Sequence, residues 1–591
     1  MILRGGIVLV ALLICTPVPQ ISGNILGNLI PLSLDTYQVF ESLGRLKTNY
    51  GFAKWNINQQ LTCTSCKFGF STLQTLLKLH LPPDRIAAVI EDLCVQLKIE
   101  PRIVCRGLLE EFRPETFYVL TKVPYSPAEI CNFVTNVDCA PDPPGTAWSV
   151  PLPDIPKPPV QVISPPSPGA KTLRVLQLSD LHFDMYYQEG TNAECEDPLC
   201  CRKEGGKPVG PPAGRWGDPR NCDSPIRLIE NMLTWISKNE KIDYILWTGD
   251  LPAHDIWNQT KQMQLIILKL TTKYLRSFFP NTPVFPALGN HESSPVDSFP
   301  PRFINDSNSI KWLYDALATT WNQWLPPDAI STVSGGGYYR VKPFPGLRII
   351  SLNTNACNTM NWWLLLNMTD PDNELQWLIN ELQEAENAGD KVHLIGHIPP
   401  GSGDCMKMWS YNFYRIIERY ESTIAAQFYG HEHSDSMHIY YDPADESHVT
   451  GLGYLGPSVT PYVGFNPSYR IYTIDGNYAN SSWIVLDHET YIVNLTEANL
   501  PNGTPKWVKE YSAKEAYGLN QLLPGDWNDL MDEFLVDDAK FQKFWQYYWK
   551  SQDTSVAKGC NDACRKYLLC RIRTRNKNCI KVKEGRIGYK D

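Results

Sequence analysis

Five short motifs in this 591-residue chain each close an apolar run with side chains able to bind metal. They are Asp180-Leu181-His182, Gly249-Asp250, Gly289-Asn290-His291, Gly396-His397 and Gly430-His431-Glu432-His433. Carboxylate and imidazole suit borderline divalent cations. A neutral Asn lowers the anionic charge of such a set and leaves the ions more electrophilic. Two ions that share one carboxylate can activate a water and stabilise a pentavalent phosphorus, so the chemistry expected is hydrolysis of a phosphate ester. A lone histidine is better read as a hydrogen-bonded core residue. Here six of eleven histidines fall into one ordered set, counting His254 four residues after Asp250. Glycine before Asp250, Asn290, His397 and His431 allows tight turns and close approach to a metal. His431 and His433, two apart, are expected to share one face of an extended segment. His254 and His291 are the candidates to hand a proton to a departing alkoxide.

Apolar runs that read as buried strands lead into these motifs at 173–178, 242–247, 284–288, 392–395 and 426–429. A further run at 347–352 has no metal motif after it. Helical stretches at 225–239, 260–278 and 372–388 separate several of them. Strand, motif and helix in repetition predict an α/β layered domain with its chemistry at the strand ends, spanning 171–486. Residues 487–591 read as a helical, aromatic-rich subdomain, with Cys560, Cys564, Cys570 and Cys579 near its end.

Composition is that of a folded protein: 43% apolar, 20% charged and a net charge of −9. That balance gives no global basic field for nucleic acid. Residues 1–23 read as a signal peptide, with Arg4 before a short apolar core and cleavage near Gly23. No apolar run is long enough to span a bilayer. Loss of Cys15 with that segment leaves an even sixteen cysteines, which predicts a disulfide framework in an oxidising compartment. Sequons at Asn258, Asn305, Asn367, Asn480, Asn494 and Asn502 fit a glycoprotein that is secreted, lysosomal or both.

Residues 59–142 hold Cys63, Cys66, Cys94, Cys105, Cys131 and Cys139 among apolar residues at helical spacing, such as Phe70, Leu73 and Leu76. Spacing alone leaves fifteen pairings open. A proline-rich linker follows at 143–170, extended and semi-rigid. The C-x2-C, C-x10-C and C-x7-C spacings resemble a saposin-type domain. That resemblance implies Cys63–Cys139, Cys66–Cys131 and Cys94–Cys105, an all-α fold and a role in presenting membrane lipid.

The five metal motifs, in order, resemble the calcineurin-like metallophosphoesterases, whose fold is a layered α/β/β/α sandwich. The resemblance implies that Asp180, His182, Asp250 and His433 hold one ion, and Asp250, Asn290, His397 and His431 a second. Purple acid phosphatases, a related branch, place an iron-ligating Tyr where this chain has Ala253. That speaks against a ferric-tyrosinate centre; two Zn2+ ions are the expectation, with manganese or ferrous iron as the alternatives. A saposin-type domain, a linker, a calcineurin-like domain and a helical tail, together with Gly396-His397-Ile398-Pro399-Pro400-Gly401, resemble the acid sphingomyelinase family. That implies cleavage of sphingomyelin to ceramide and phosphocholine at a bilayer surface. It also implies Cys195–Cys200, Cys201–Cys222, Cys357–Cys405, Cys560–Cys564 and Cys570–Cys579. The alternatives are a nucleotide or phospholipid phosphodiesterase of the related group, or a lipid-binding protein with a dead catalytic domain. Trp362 to Leu366 offers either a second membrane contact or a buried segment. The basic residues from Arg571 to Lys583 offer contact with anionic lipids or a solvated terminus.

Overall fold

The computed structural model describes residues 59–574 except 80–81, 97, 142–145 and 161–165. The expected signal peptide, Cys579 and the basic residues beyond Arg573 lie outside the described residues.

Four helices form the N-terminal module: α1 (Gln59–Lys78), α2 (Pro83–Gln96), α3 (Arg102–Leu120) and α4 (Pro127–Thr135). Phe70, Leu73, Leu76, Ile86 and Ile90 turn inward at helical spacing and are almost fully buried. Ser126 and Glu129 close α4 with a reciprocal capping box. Disulfides join Cys63–Cys139, Cys66–Cys131 and Cys94–Cys105.

Two six-stranded sheets follow. The first runs β12-β11-β10-β1-β2-β3 and the second β4-β5-β6-β7-β9-β8. The strands are β1 (Thr172–Leu178), β2 (Tyr244–Trp247), β3 (Val284–Pro286), β4 (Tyr339–Phe344), β5 (Leu347–Ser351), β6 (Lys391–Ile395), β7 (Ile424–Tyr429), β8 (Ser436–Tyr441), β9 (Val449–Leu455), β10 (Ser468–Asp475), β11 (Val485–Ile492) and β12 (Val508–Ser512). β1, β2 and β3 are parallel neighbours, as are β5, β6, β7 and β9. Residues of both sheets share one core. Phe428 of the second sheet meets Tyr472 of the first at a ring distance of 4.8 Å.

Helices α5 (Ile226–Asn239), α6 (Lys261–Phe278), α7 (Lys311–Trp321), α8 (Pro327–Gly336), α9 (Glu374–Ala388) and α10 (Lys407–Arg419) complete this part of the chain. α5 buries Leu228, Ile229, Met232, Leu233 and Ile236, a single apolar stripe. The C-terminal helices are α11 (Pro524–Val536), α12 (Asp538–Tyr548) and α13 (Asp562–Ile572).

One boundary needs correction. The boundary at 486/487 falls inside β11, and β11 and β12 belong to the first sheet. Val485-Leu-Asp-His-Glu-Thr-Tyr-Ile492 alternates buried and half-buried residues with polar ones between, so no apolar run marks it. Residues 146–160 of the expected linker lie against α10. Val150 is buried, its N–H donates to Asn412 Oδ1 (2.8 Å) on α10, and Lys157 pairs with Glu418 (2.8 Å).

Trp362 to Leu365 form no membrane contact, for each is at most 2% exposed. They pack beneath the N-terminal module, with Trp362 against Phe70 (5.5 Å) and Trp363 against Tyr118 (5.1 Å). Arg571 and Arg573 are not free for lipid either; they pair with Glu432 (2.5 Å) and Asp532 (2.7 Å).

Disulfides also join Cys195–Cys200, Cys201–Cys222, Cys357–Cys405 and Cys560–Cys564. Asn258, Asn305, Asn367, Asn480 and Asn502 are exposed. Asn494 is half-buried and accepts the Glu497 N–H (3.1 Å) at a helix start. Among the described residues no helix is long and apolar enough to cross a membrane.

Candidate metal centre

The carboxyl ends of β1, β2 and β3 in one sheet meet those of β6 and β7 in the other. Backbone bonds continue past the strands and lock these ends together. Asp180 N–H donates to Gly249 O (3.0 Å), His182 N–H to Asp250 O (3.2 Å) and Gly430 N–H to His397 O (3.0 Å).

All seven residues expected to bind metal converge here. His433 Nε2 lies 3.2 Å from His182 Nε2 and 3.5 Å from Asp180 Oδ1. His182 Nε2 lies 3.5 Å and His397 Nε2 3.0 Å from Asp250 Oδ2. His431 Nδ1 lies 3.0 Å from Asn290 Oδ1. Ligand atoms of Asp250, His397 and His431 all fall within 4.8 Å of one another, as do those of His182, Asp250 and His291, and of His182, His254 and His433.

The turns that carry these groups are strained. Asp180, His182, Asp250, His431 and His433 all have positive φ, between 40° and 72°. Such backbone costs on the order of 1–3 kcal/mol per residue and clusters where function holds it. It also overturns the expectation that His431 and His433 share a face of extended chain. Gly249 has φ +89°, which a side chain would resist. A Cβ on Gly289 would come within 2.2 Å of Asp250 Oδ1.

The imidazoles are held by their outer nitrogens. His182 Nδ1–H donates to Pro252 O (2.8 Å) and His397 Nδ1–H to Thr248 O (2.6 Å). Each ring therefore turns its Nε2 lone pair toward Asp250. Lone pairs facing a carboxylate repel unless a proton or a cation lies between them. Burial opposes a proton on His397, yet the Asp250 carboxylate pushes the ring up to about 10. His182 and His433 are instead held well below the usual histidine range, first by burial. Donors fixed this way fit divalent metal ions.

Supporting carboxylates escaped the sequence reading. Asp404 accepts from His431 Nε2 (3.1 Å), and Asp297 accepts from the Asn290 amide (2.9 Å), which turns Asn290 Oδ1 toward His431. Asp223 accepts from His254. None follows a strand, so no local pattern marks them. Asp404 does lie beside Cys405, where the disulfide to Cys357 fixes its loop.

His254 and His291 flank the centre. His254 stacks on His182 (3.8 Å, 23°) and on Tyr462 (4.3 Å, 15°), while His291 meets His182 edge-on at 4.9 Å.

The calcineurin-like phosphoesterase family matches residues 173–435, and the acid sphingomyelin phosphodiesterase C-terminal region matches 447–585. The fold is thus the calcineurin-like one, and β9 to β12 fall within the second match. A sphingomyelin phosphodiesterase of Bos taurus is 47% identical over 88% of this chain and 82% of its own. That of Homo sapiens is 47% identical over 86% and 80%. A cyclic GMP-AMP phosphodiesterase of Bos taurus is 33% identical over 69% of this chain and 90% of its own. With nearly half its residues shared across most of both chains, this protein belongs to the sphingomyelin phosphodiesterase family.

Proposed function

We propose that the chain hydrolyses sphingomyelin to ceramide and phosphocholine. One observation carries the substrate: 47% identity, over most of both chains, with relatives named for that reaction. Convergence of the seven polar side chains supports phosphoester hydrolysis independently.

In this reading Asp180, His182, Asp250 and His433 hold one divalent ion, and Asp250, Asn290, His397 and His431 the other. Zinc suits that mixture of imidazole and carboxylate. Ions bound there would supply Lewis acidity at the phosphate and make water nucleophilic near neutral pH. The remaining work belongs to the protein. Asp223 holds His254 Nδ1–H, which leaves Nε2 to hold a proton for the ceramide oxygen as it departs. His291 is fixed from its own backbone, whose N–H donates to Asp250 Oδ1 (2.9 Å). The turns that hold these groups need no rearrangement as charge develops.

The disulfide-stapled module at 59–142 acts as a saposin-type domain that presents membrane lipid, and 146–160 fastens it along α10. The cysteine pairs and exposed sequons support a secreted or lysosomal glycoprotein. Anionic lipid at the C-terminus remains a role for residues beyond Arg573.

Phosphocholine release from sphingomyelin vesicles at pH 5 and 7, with chelator and with added Zn2+, tests the reading. Release abolished by chelator and restored by Zn2+ is the expected result. Nucleotide hydrolysis without phosphocholine release would favour the cyclic-nucleotide branch of the relatives and overturn it.

A further inference from the structure

Lys550 lies in the turn after α12, far along the chain from every metal motif, and is fully buried. It takes positive φ (53°), as does Ser551 beside it (49°). Its Nζ donates to Ser458 Oγ (2.7 Å) and Ser458 O (3.0 Å) and sits 4.5 Å over the Phe465 ring. Asn466 Nδ2 donates to its carbonyl (3.0 Å). A buried ammonium is costly unless it is well bonded.

Ser458 belongs to a strap that touches the centre at several points. Ser458 N–H donates to His433 O (3.2 Å), Val459 N–H to Ser179 O (3.0 Å) and Thr460 N–H to Asp180 O (3.0 Å). Thr460 Oγ1 donates to Asp223 Oδ1 (2.9 Å), the carboxylate that holds His254. Gly456 N–H donates to Tyr429 O (2.7 Å), at the end of β7. The strap thus spans the backbone of Asp180 and His433 and reaches the partner of His254. Lys550 anchors its middle.

We propose that Lys550 is a positioning residue, which fixes the Asp180–His433 half of the metal centre through the Ser458–Thr460 strap. The inference rests on the metal-binding reading above, but its test needs no substrate. Lys550→Met keeps the stem and removes both donated bonds. Ser458 Oγ then loses its donor, Ser458 O is left with Ser468 alone, whose N–H (3.2 Å) and Oγ–H (2.8 Å) still donate to it, and the strap relaxes.

Zn2+ affinity of the full chain, by competition with a chromophoric chelator, separates the possibilities. Positioning predicts that one of the two Zn2+ ions binds about tenfold more weakly in Lys550→Met, the scale typical of groups that support metal ligands, while the other stays within about threefold. Removal of a cation near Asp180 would by charge alone tighten binding, so weaker binding opposes the trivial expectation. Unchanged or tighter affinity for both ions, or equal loss from both, would overturn the proposal. Ser458→Ala, which removes only the hydroxyl, gives a smaller loss at the same ion and stands in where Lys550→Met does not fold. A wild-type chain that binds Zn2+ but releases no phosphocholine would refute the substrate and leave this comparison valid.

Discussion

Asp223 grips His254 twice, accepting its backbone N–H at 2.7 Å and its ring Nδ1–H at 2.8 Å. Both residues are buried, and the His254 ring is sandwiched between His182 and Tyr462. The imidazole therefore has one tautomer and one orientation, with Nε2 toward His182 and His433. A carboxylate behind a histidine fixes which ring nitrogen faces the reacting group. Asp223→Ala is expected to lower kcat by about 10²–10⁴, the range for a positioned proton donor, with KM and metal content little changed. In a His254→Ala background the same substitution should cost almost nothing more, because the two act as one unit. Additive losses in the double variant would mean that Asp223 serves something other than His254.

His291 presents a different environment. Its Nδ1 is buried without a hydrogen-bond partner, and burial pushes the ring down to about 3 although Asp250 opposes this. His291→Gln should reduce turnover sharply while both ions stay bound. Because a His291 ring nitrogen lies within ligand distance of His182 and Asp250, loss of one ion is the informative contrary result. It would make His291 a ligand instead of a proton handler. Metal content per chain, measured beside kcat, decides between them.

The strand-end motifs were readable because each follows an apolar run, and the fold delivers all seven side chains to one place. β11 was not readable, since Asp487, His488, Glu489 and Thr490 interrupt its pattern; it is half-buried on one face of the sheet. Asp223, Asp297, Asp404 and Lys550 were invisible for another reason. Three act on partners distant in sequence, 31 residues from Asp223 to His254, 27 from Asp404 to His431 and 92 from Lys550 to Ser458, and Asp297 reaches Asn290 across a seven-residue loop. Periodicity reports which face is buried, and it carries no information about which polar groups meet across a loop. The Trp362–Leu366 segment shows the same limit: apolar composition favoured burial over lipid only slightly, and Phe70 and Tyr118 on the N-terminal module decide it.

The contact between that module and the catalytic body is tight enough to break with one methyl group. A Cβ on Gly107, in α3, would come within 2.0 Å of the Trp257 carbonyl oxygen, and backbone cannot yield cheaply. Gly107→Ala should loosen α3 from the 362–366 segment, seen as faster hydrogen exchange in both. Trp257 follows His254 by three residues in the loop after β2, so hydrolysis of a small soluble phosphodiester should fall by about threefold while release from vesicles falls further, by about tenfold, as loss of a tethered partner predicts. Equal loss on both substrates would mean that the module stabilises the catalytic body and does not deliver lipid to it.

Acid should tighten the same contact. Glu115 of α3 is buried against Ser298 and Trp363, with Oε2 unpartnered, and burial pushes its carboxyl up to about 7, aided by Asp297. Burial also raises Glu111 and Glu100 to about 7. For a carboxyl whose folded pKa exceeds its unfolded value of 4.5, the folded state binds the extra proton. Its stabilising contribution is complete below about 4.5 and is lost as pH rises through about 7. The share that Glu115 contributes to the thermal midpoint should therefore be larger at pH 5 than at pH 8, while the depressed histidines of the centre act in the opposite sense. Glu115→Gln stays uncharged throughout, so it should remove that difference and raise the pH 8 midpoint, by the equivalent of roughly 3 kcal/mol at most for a shift from 4.5 to about 7. Glu111→Gln, nearer the surface, should do less. A pH 8 midpoint that Glu115→Gln leaves untouched would show that the Glu115 carboxylate is carried without cost and that the contact is held by its apolar residues alone.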